Sequence, residues 1–147
     1  MKTDILFQDA LEELLLSNNL KMGDLAEKTG IAPSRLYSYK RGEDIPSFEN
    51  ATKIAEVFGC SFDYLFGLTD ENKKENYKIS STPTKRFQEL IAQSGLTRYK
   101  ISKLTGISEA KLSSWYTGRK IPTLSSLYIL AKGLSCSLDY LAGRDKI

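Results

Sequence analysis

The chain repeats itself. Displaced by 76 residues, Leu11 through Gly67 falls without a gap on Phe87 through Gly143. Thr29-Gly30-Ile31 falls on Thr105-Gly106-Ile107, Gly42 on Gly118 and Ile45-Pro46 on Ile121-Pro122. Cys60-Ser61-Phe62-Asp63-Tyr64-Leu65 falls on Cys136-Ser137-Leu138-Asp139-Tyr140-Leu141. Gly and Pro fix turns and helix ends, so their repeated spacing specifies one fold twice over. Two copies are too few for a solenoid. The 147 residues are therefore expected to form two small domains, 1–68 and 83–147, joined by a linker at 69–82.

Each copy reads as helical throughout. Phe7, Leu11, Leu14 and Leu15 recur at the spacing of one helix face. Phe48, Ala51, Ile54, Ala55 and Phe58 do the same, as do Leu124, Leu127, Leu130, Ala131 and Leu134 in the second copy. Ser47 and Thr123 stand where N-caps belong, each after a proline that cannot continue a preceding helix. Ser61 and Ser137 are expected to cap a short last helix. No period-2 run of β-branched residues suggests a sheet, so the fold class is all-α with five short helices per copy. The linker is polar and lysine-rich, and Pro83 is placed to open the next helix. Within it Tyr77 and Ile79 are the residues suited to dock onto a domain. Fully extended, its roughly 14 residues reach ~45 Å, more than the ~34 Å between half-sites one turn apart on a duplex.

What is missing narrows the function. Hydrophobic residues at 41% and charged residues at 27% make a folding composition. Histidine is absent, which removes Ser/His and Cys/His catalysis and the usual zinc sets. Cys60 and Cys136 are too far apart for a CxxC motif and read as small buried side chains. The ten glycines are scattered singly, with no phosphate loop. No apolar stretch approaches ~18 residues, and Met1-Lys2-Thr3-Asp4 does not open a signal segment. The expectation is a soluble, cytoplasmic non-enzyme without metal or cofactor.

In the middle of each copy, from Leu20 to Gly42 in the first, two short helices meet at a turn through a glycine. Leu25, Ala26, Ile31 and Leu36 point inward across that turn, and Ile101, Ser102, Ile107 and Leu112 repeat the arrangement. This is helix-turn-helix spacing, in which the second helix enters the major groove. Leu25-Ala26-Glu27-Lys28-Thr29-Gly30-Ile31, Leu36, Tyr39, Gly42, Pro46 and Asp63-Tyr64-Leu65 resemble the XRE/Cro family of lambda-repressor-like domains. The second copy resembles it through Thr105-Gly106-Ile107, Leu112, Trp115, Gly118, Pro122 and Asp139-Tyr140-Leu141. The resemblance implies five-helix domains that bind DNA sequence-specifically, usually as dimers on palindromic operators. One departure stands out: the glutamine common at the start of the second helix is Met22 here and Arg98 in the second copy. Methionine cannot donate a hydrogen bond.

The overall charge of +3 hides an asymmetry. Residues 1–70 hold seven Lys/Arg and twelve Asp/Glu, net −5, whereas residues 83–147 hold eleven and four, net +7. Around the second motif stand Arg98, Lys100, Lys103, Lys111, Arg119 and Lys120; their counterparts are Met22, Asp24, Glu27, Arg35, Glu43 and Asp44. Carboxylates facing DNA repel it, so the second domain is expected to be the main reader of double-stranded DNA. Base contacts are expected from Ser108, Glu109, Ala110, Lys111 and Ser114 on a recognition helix at 109–117 that also carries Thr117. A weaker surface in the first domain consists of Ser34, Arg35, Ser38, Lys40 and Arg41, with a recognition helix at 33–41.

Tyr39 and Trp115 are expected to pack in the core, and Tyr64 and Tyr140 to pack or cap. The crowding of Tyr37, Tyr39, Phe62, Tyr64 and Phe66 suggests an apolar patch for self-association. The leading reading is a repressor-like transcriptional regulator; a homodimer and a protein partner for the first domain both stay open. The alternative is an interaction or autoinhibitory module, in which the acidic first domain binds a partner or the basic second domain. No membrane partner is expected.

Overall fold

A helix must satisfy its first free N–H groups and turn off at its end, and these local requirements fix where each element of this chain starts and stops. The computed structural model describes residues 7–147, so the opening Met1-Lys2-Thr3-Asp4 lies outside the described residues. The chain divides into two compact units, the first running to Tyr77 and including Ile147, the second spanning Lys78–Lys146.

The first unit contains α1 (Phe7–Ser17), α2 (Met22–Thr29), α3 (Pro33–Lys40), α4 (Phe48–Phe58) and α5 (Phe62–Leu65). Strand β1 (Tyr77–Ile79) follows, and then α6 (Pro83–Ser94), α7 (Arg98–Thr105), α8 (Glu109–Thr117), α9 (Leu124–Leu134), α10 (Leu138–Ala142) and strand β2 (Arg144–Lys146). Ser47, Ser61, Thr123 and Ser137 cap α4, α5, α9 and α10 as expected, each accepting from the third N–H of its helix. Thr82, Thr97 and Ser108 do the same for α6, α7 and α8. Each such cap is worth ~1 kcal/mol.

In the first unit Phe7, Leu11, Leu14 and Leu15 bury one face of α1 in a core shared with Leu25, Leu36, Ile54 and Leu65. The Phe7 ring meets Tyr39 edge-on at 6.0 Å and lies 5.4 Å from Phe66, which in turn meets Phe62 edge-on at 6.2 Å. This cluster overturns the expected apolar patch. Tyr39, Phe62, Tyr64 and Phe66 are all buried, and Tyr37 alone of the five is exposed, because the short α5 folds its aromatic face inward. Cys60 is buried and Cys136 half-buried.

The second unit builds the same apolar core from Phe87, Ile101, Leu112, Leu127, Leu130, Leu138 and Leu141. It then closes with polar groups. β1 and β2 form a small two-stranded sheet, and next to it Ser80 N donates to Gly143 O at 2.8 Å. Three-residue strands are too short to leave a periodic signal, which is why an all-helical reading passes over them. Arg86, only 7% exposed, donates to Tyr140 O and to both Asp145 carboxylate oxygens at 3.0, 3.0 and 2.6 Å. Its guanidinium also lies 4.6 Å over the Tyr140 ring, and Ser80 bonds the same carboxylate. Arg144 and Asp139, both buried, pair at 3.0 Å. Ala10 and Thr69 stand in the first copy where Arg86 and Asp145 stand in the second.

Two parts of the segment 69–82 make backbone contacts of their own. Glu75 N donates to Gly59 O at 2.9 Å in the first unit, and β1 is already paired by Ile79.

Two glycines of the second unit should respond differently to alanine. Gly106 sits at φ +78° with open space around a Cβ, whereas Gly143 at φ +84° would drive a Cβ into the Ser81 carbonyl. Gly106→Ala should cost ~1–2 kcal/mol, the left-handed penalty alone, and Gly143→Ala clearly more. Thermal and denaturant melts of the full chain check the ranking; equal costs would contradict it. A pH prediction follows from Asp145, whose carboxyl the Arg86 and Ser80 hydrogen bonds hold below its ordinary value. A depressed folded value gives stability that is present above pH ~4 and lost as the pH falls through that folded value. Asp145→Asn should flatten this acid branch of the melting curve while leaving its form near neutrality alone.

Candidate nucleic-acid interface

The two middle helices of each unit are held at a fixed angle by one tripeptide. In the second unit Thr105 Oγ1 donates back to Ile101 O at 2.8 Å and accepts from Ile107 N at 3.2 Å. In the first, Thr29 Oγ1 donates to Leu25 O at 2.7 Å and accepts from Ile31 N at 3.2 Å. Gly30 and Gly106 take left-handed φ values of +74° and +78° between them. Thr and Gly thus reverse the chain while the Ile plugs the angle from below, with Leu36 or Leu112 also buried there. Spacing alone does not reveal the threonine's part, although its presence in both copies is a signal that could have found it.

Met22 explains the departure at the start of the second helix. It is buried, so this position in the first unit belongs to the core and not to the surface. Arg98, its counterpart, is exposed, with its guanidinium 5.4 Å over the Tyr116 ring. The N-termini of the two helices differ as well. Asp24 accepts from Lys21 N at 2.9 Å in the first turn of α2. Lys100 stands at that position in α7, and Thr97 takes over the capping at 3.1 Å. Cations there work against the helix dipole, which favours negative charge at an N-terminus by ~0.3–1 kcal/mol. An anion at the start of α7 would meet both the free N–H groups and these side chains.

All six cations of the second motif, Arg98, Lys100, Lys103, Lys111, Arg119 and Lys120, are exposed. Among the described residues none of the six forms an ion pair, and Lys103 lies 5.4 Å over the Tyr99 ring. On α8, Glu109, Ala110, Lys111 and Thr117 are exposed, Ser114 is half-buried, and Ser108 spends its oxygen on capping Lys111 N at 3.2 Å. Thr117 donates to Ser113 O at 3.1 Å. Trp115 is buried with Leu112 on the opposite side of the helix. Lys120 N donates to Ser114 O at 3.2 Å, tying the Arg119-Lys120 corner to α8.

The matching surface of the first unit is largely self-neutralised. Arg35 pairs with Asp44 at 3.2 Å, and Arg41 pairs with Glu43 at 2.9 Å. The Arg41 hydrogen bond holds the Glu43 carboxyl below the ordinary carboxylate range. Ser34 is exposed, Ser38 and Lys40 are half-buried, and Tyr39 is buried with its hydroxyl accepting from Asn50 at 2.9 Å. The carboxylates that pair here occupy the positions of Lys120 and Arg119 in the second unit.

Comparison with known proteins agrees with this geometry. The chain is 36% identical over 61 residues to the uncharacterized HTH-type transcriptional regulator YobD of Bacillus subtilis (strain 168), covering 42% of this chain and 54% of that one. It is also 36% identical over 58 residues to the cryptic phage CTXphi transcriptional repressor RstR of Vibrio cholerae, covering 38% of this chain and 52% of that one. The chain thus spans about half the length of the curated relatives it matches. No solved structure matches it. Among the described residues no helix is long and apolar enough to cross a membrane. The helix-turn-helix family matches twice, over residues 11–65 and 87–141, and the chain belongs to that family as two tandem all-α domains.

Proposed function

We propose that this chain is a repressor-like, cytoplasmic transcriptional regulator that binds double-stranded DNA sequence-specifically, with the second unit as the main reader. The observation that carries this is the state of the cations. Among the described residues those around α7 and α8 are exposed and outside any ion pair, whereas Arg35 and Arg41 by α3 are tied to carboxylates. DNA carries a dense line of phosphates, and release of its counterions rewards cations that are free to meet them. In this reading α8 lies in the major groove, with α7 across the backbone. Arg98, Lys100, Lys103, Arg119 and Lys120 take phosphates. Glu109 accepts from cytosine, Lys111 donates to guanine, Ala110 meets a thymine methyl, and Ser108, Ser114 and Thr117 supply further hydroxyl contacts. The first unit, through Ser34, Arg35, Ser38, Lys40 and Arg41, adds at most a weaker grip.

Selection of bound sites from random duplex DNA by the full chain tests the reading. A recovered motif gives the operator and its symmetry, and failure to enrich any sequence would reject sequence-specific binding. Across a salt series, six phosphate contacts predict a log–log slope near −5, at about 0.9 per contact. A flat slope would remove the second unit's cations from the interface.

Charge reversal separates the two units. Lys111→Glu with Arg119→Glu should weaken binding more than tenfold and flatten the slope by about 2. Arg35→Glu with Arg41→Glu should change affinity by less than about threefold, because in this reading those side chains, tied to Asp44 and Glu43, do not meet the phosphates that carry the main grip. A large loss in the second pair of substitutions would make the first unit an equal reader.

A further inference from the structure

We propose that Tyr116 is a positioning residue for DNA binding, holding the Arg98 guanidinium over its ring as a ready-made clamp for one backbone phosphate. The inference rests on the reading of the second unit as a DNA binder. Its geometry is private to that unit. The Arg98 guanidinium lies 5.4 Å from the centre of the Tyr116 ring and is exposed. A guanidinium held over a ring by its charge still has N–H groups to donate, and these match the oxygens of a phosphate.

Tyr116 is itself fixed from two sides by α6. Its ring meets the buried Phe87 edge-on, with centroids 6.4 Å apart at 77°. Its backbone carbonyl accepts from Gln88 Nε2 at 2.6 Å. The ring is therefore anchored against the core on the side of Phe87. Arg98 is the first residue of α7, so the clamp sits beside the free N–H groups and positive dipole end of that helix. Lys100 stands in the same first turn and adds a second cation there.

In the first copy every part of this device is absent. Met22, Lys40, Leu11 and Glu12 replace Arg98, Tyr116, Phe87 and Gln88. An arginine free in solution must give up rotamer freedom to hold a phosphate, and the stack removes part of that loss before DNA arrives. Arg98 supplies the charge, and Tyr116 supplies its position.

The test compares Tyr116→Leu, Tyr116→Phe, Arg98→Met and the double variant Arg98→Met/Tyr116→Leu in the full chain. The probe is a mixed-sequence DNA duplex titrated across a salt series, with thermal melts alongside. Tyr116→Leu should weaken binding about two- to fivefold, the worth of an exposed cation–π contact, with the salt slope unchanged because the charge remains. Tyr116→Phe keeps the ring and should bind like the parent. Arg98→Met should flatten the slope by about 1, and adding Tyr116→Leu to it should cost nothing more. NMR of the Arg98 side chain supplies a DNA-free readout, since the ring should shift its protons upfield in the parent and in Tyr116→Phe but not in Tyr116→Leu.

Additive losses in the double variant, or parent-like binding by Tyr116→Leu, would overturn the positioning role. A parent protein that binds no duplex with a salt-dependent slope would instead overturn the DNA-binding reading on which the inference stands. The two failures are thus told apart.

Discussion

The angle between the two middle helices of each unit depends on a threonine hydroxyl that faces both ways. By donating to a carbonyl four residues back and accepting from the N–H two residues on, Thr29 and Thr105 satisfy groups that a sharp chain reversal would leave bare. The following glycine takes the left-handed φ that an L-residue adopts only at a cost of ~1–2 kcal/mol. The isoleucine after it then drops into the same core as Leu36 or Leu112. Everything that α8 presents to solvent inherits its direction from this reversal. A shift here would turn Lys111 and Ser114 together away from the surface that α7 presents.

On that shared frame the two units have diverged in charge and in how they close. The second gives up the acidic first turn that Asp24 provides in α2, and α7 tolerates Lys100 there because Thr97 does the capping. It also closes with ions where the first closes with rings. Arg86 replaces an alanine and reaches across to Asp145, whereas the first unit joins Phe7, Tyr39 and Phe66 in one aromatic cluster. A half-exposed carboxylate on a buried guanidinium is a modest source of stability but a strong source of register, since removing one partner strands the other. The C-terminal strand is held in place by that geometry more than by its three residues of sheet.

Local signals in the sequence carry the fold, and tertiary neighbours carry what those signals leave out. Caps at Ser47, Ser61, Thr123 and Ser137, the glycine turns and the apolar faces of α1, α4 and α9 each depend on residues within one or two helical turns, so they can be read directly. The Arg86–Asp145 contact joins residues 59 positions apart, a separation that spacing does not encode. The buried Met22 and the inward aromatic cluster around α5 depend on which face packs, and that is decided by the neighbouring helices. The cations of the candidate interface are legible as composition. The tying of Arg35 and Arg41 to Asp44 and Glu43 is not, because that pairing is decided by the geometry of the corner after α3.

The same fold can carry either surface because core and interface barely overlap. The residues that fix the fold, among them Leu25, Leu36, Ile101 and Leu112, are fully buried, while the positions around the motif where the copies differ in charge are exposed in the second unit. Exchanging charges at exposed positions changes stability by little, typically within ~0.5 kcal/mol. Affinity for a polyanion changes far more, because each phosphate that a cation neutralises adds to counterion release. A duplicated domain can therefore change its surface charge while keeping its shape. The family of both copies identifies the scaffold, and what each copy does with it is left to the side chains on its surface.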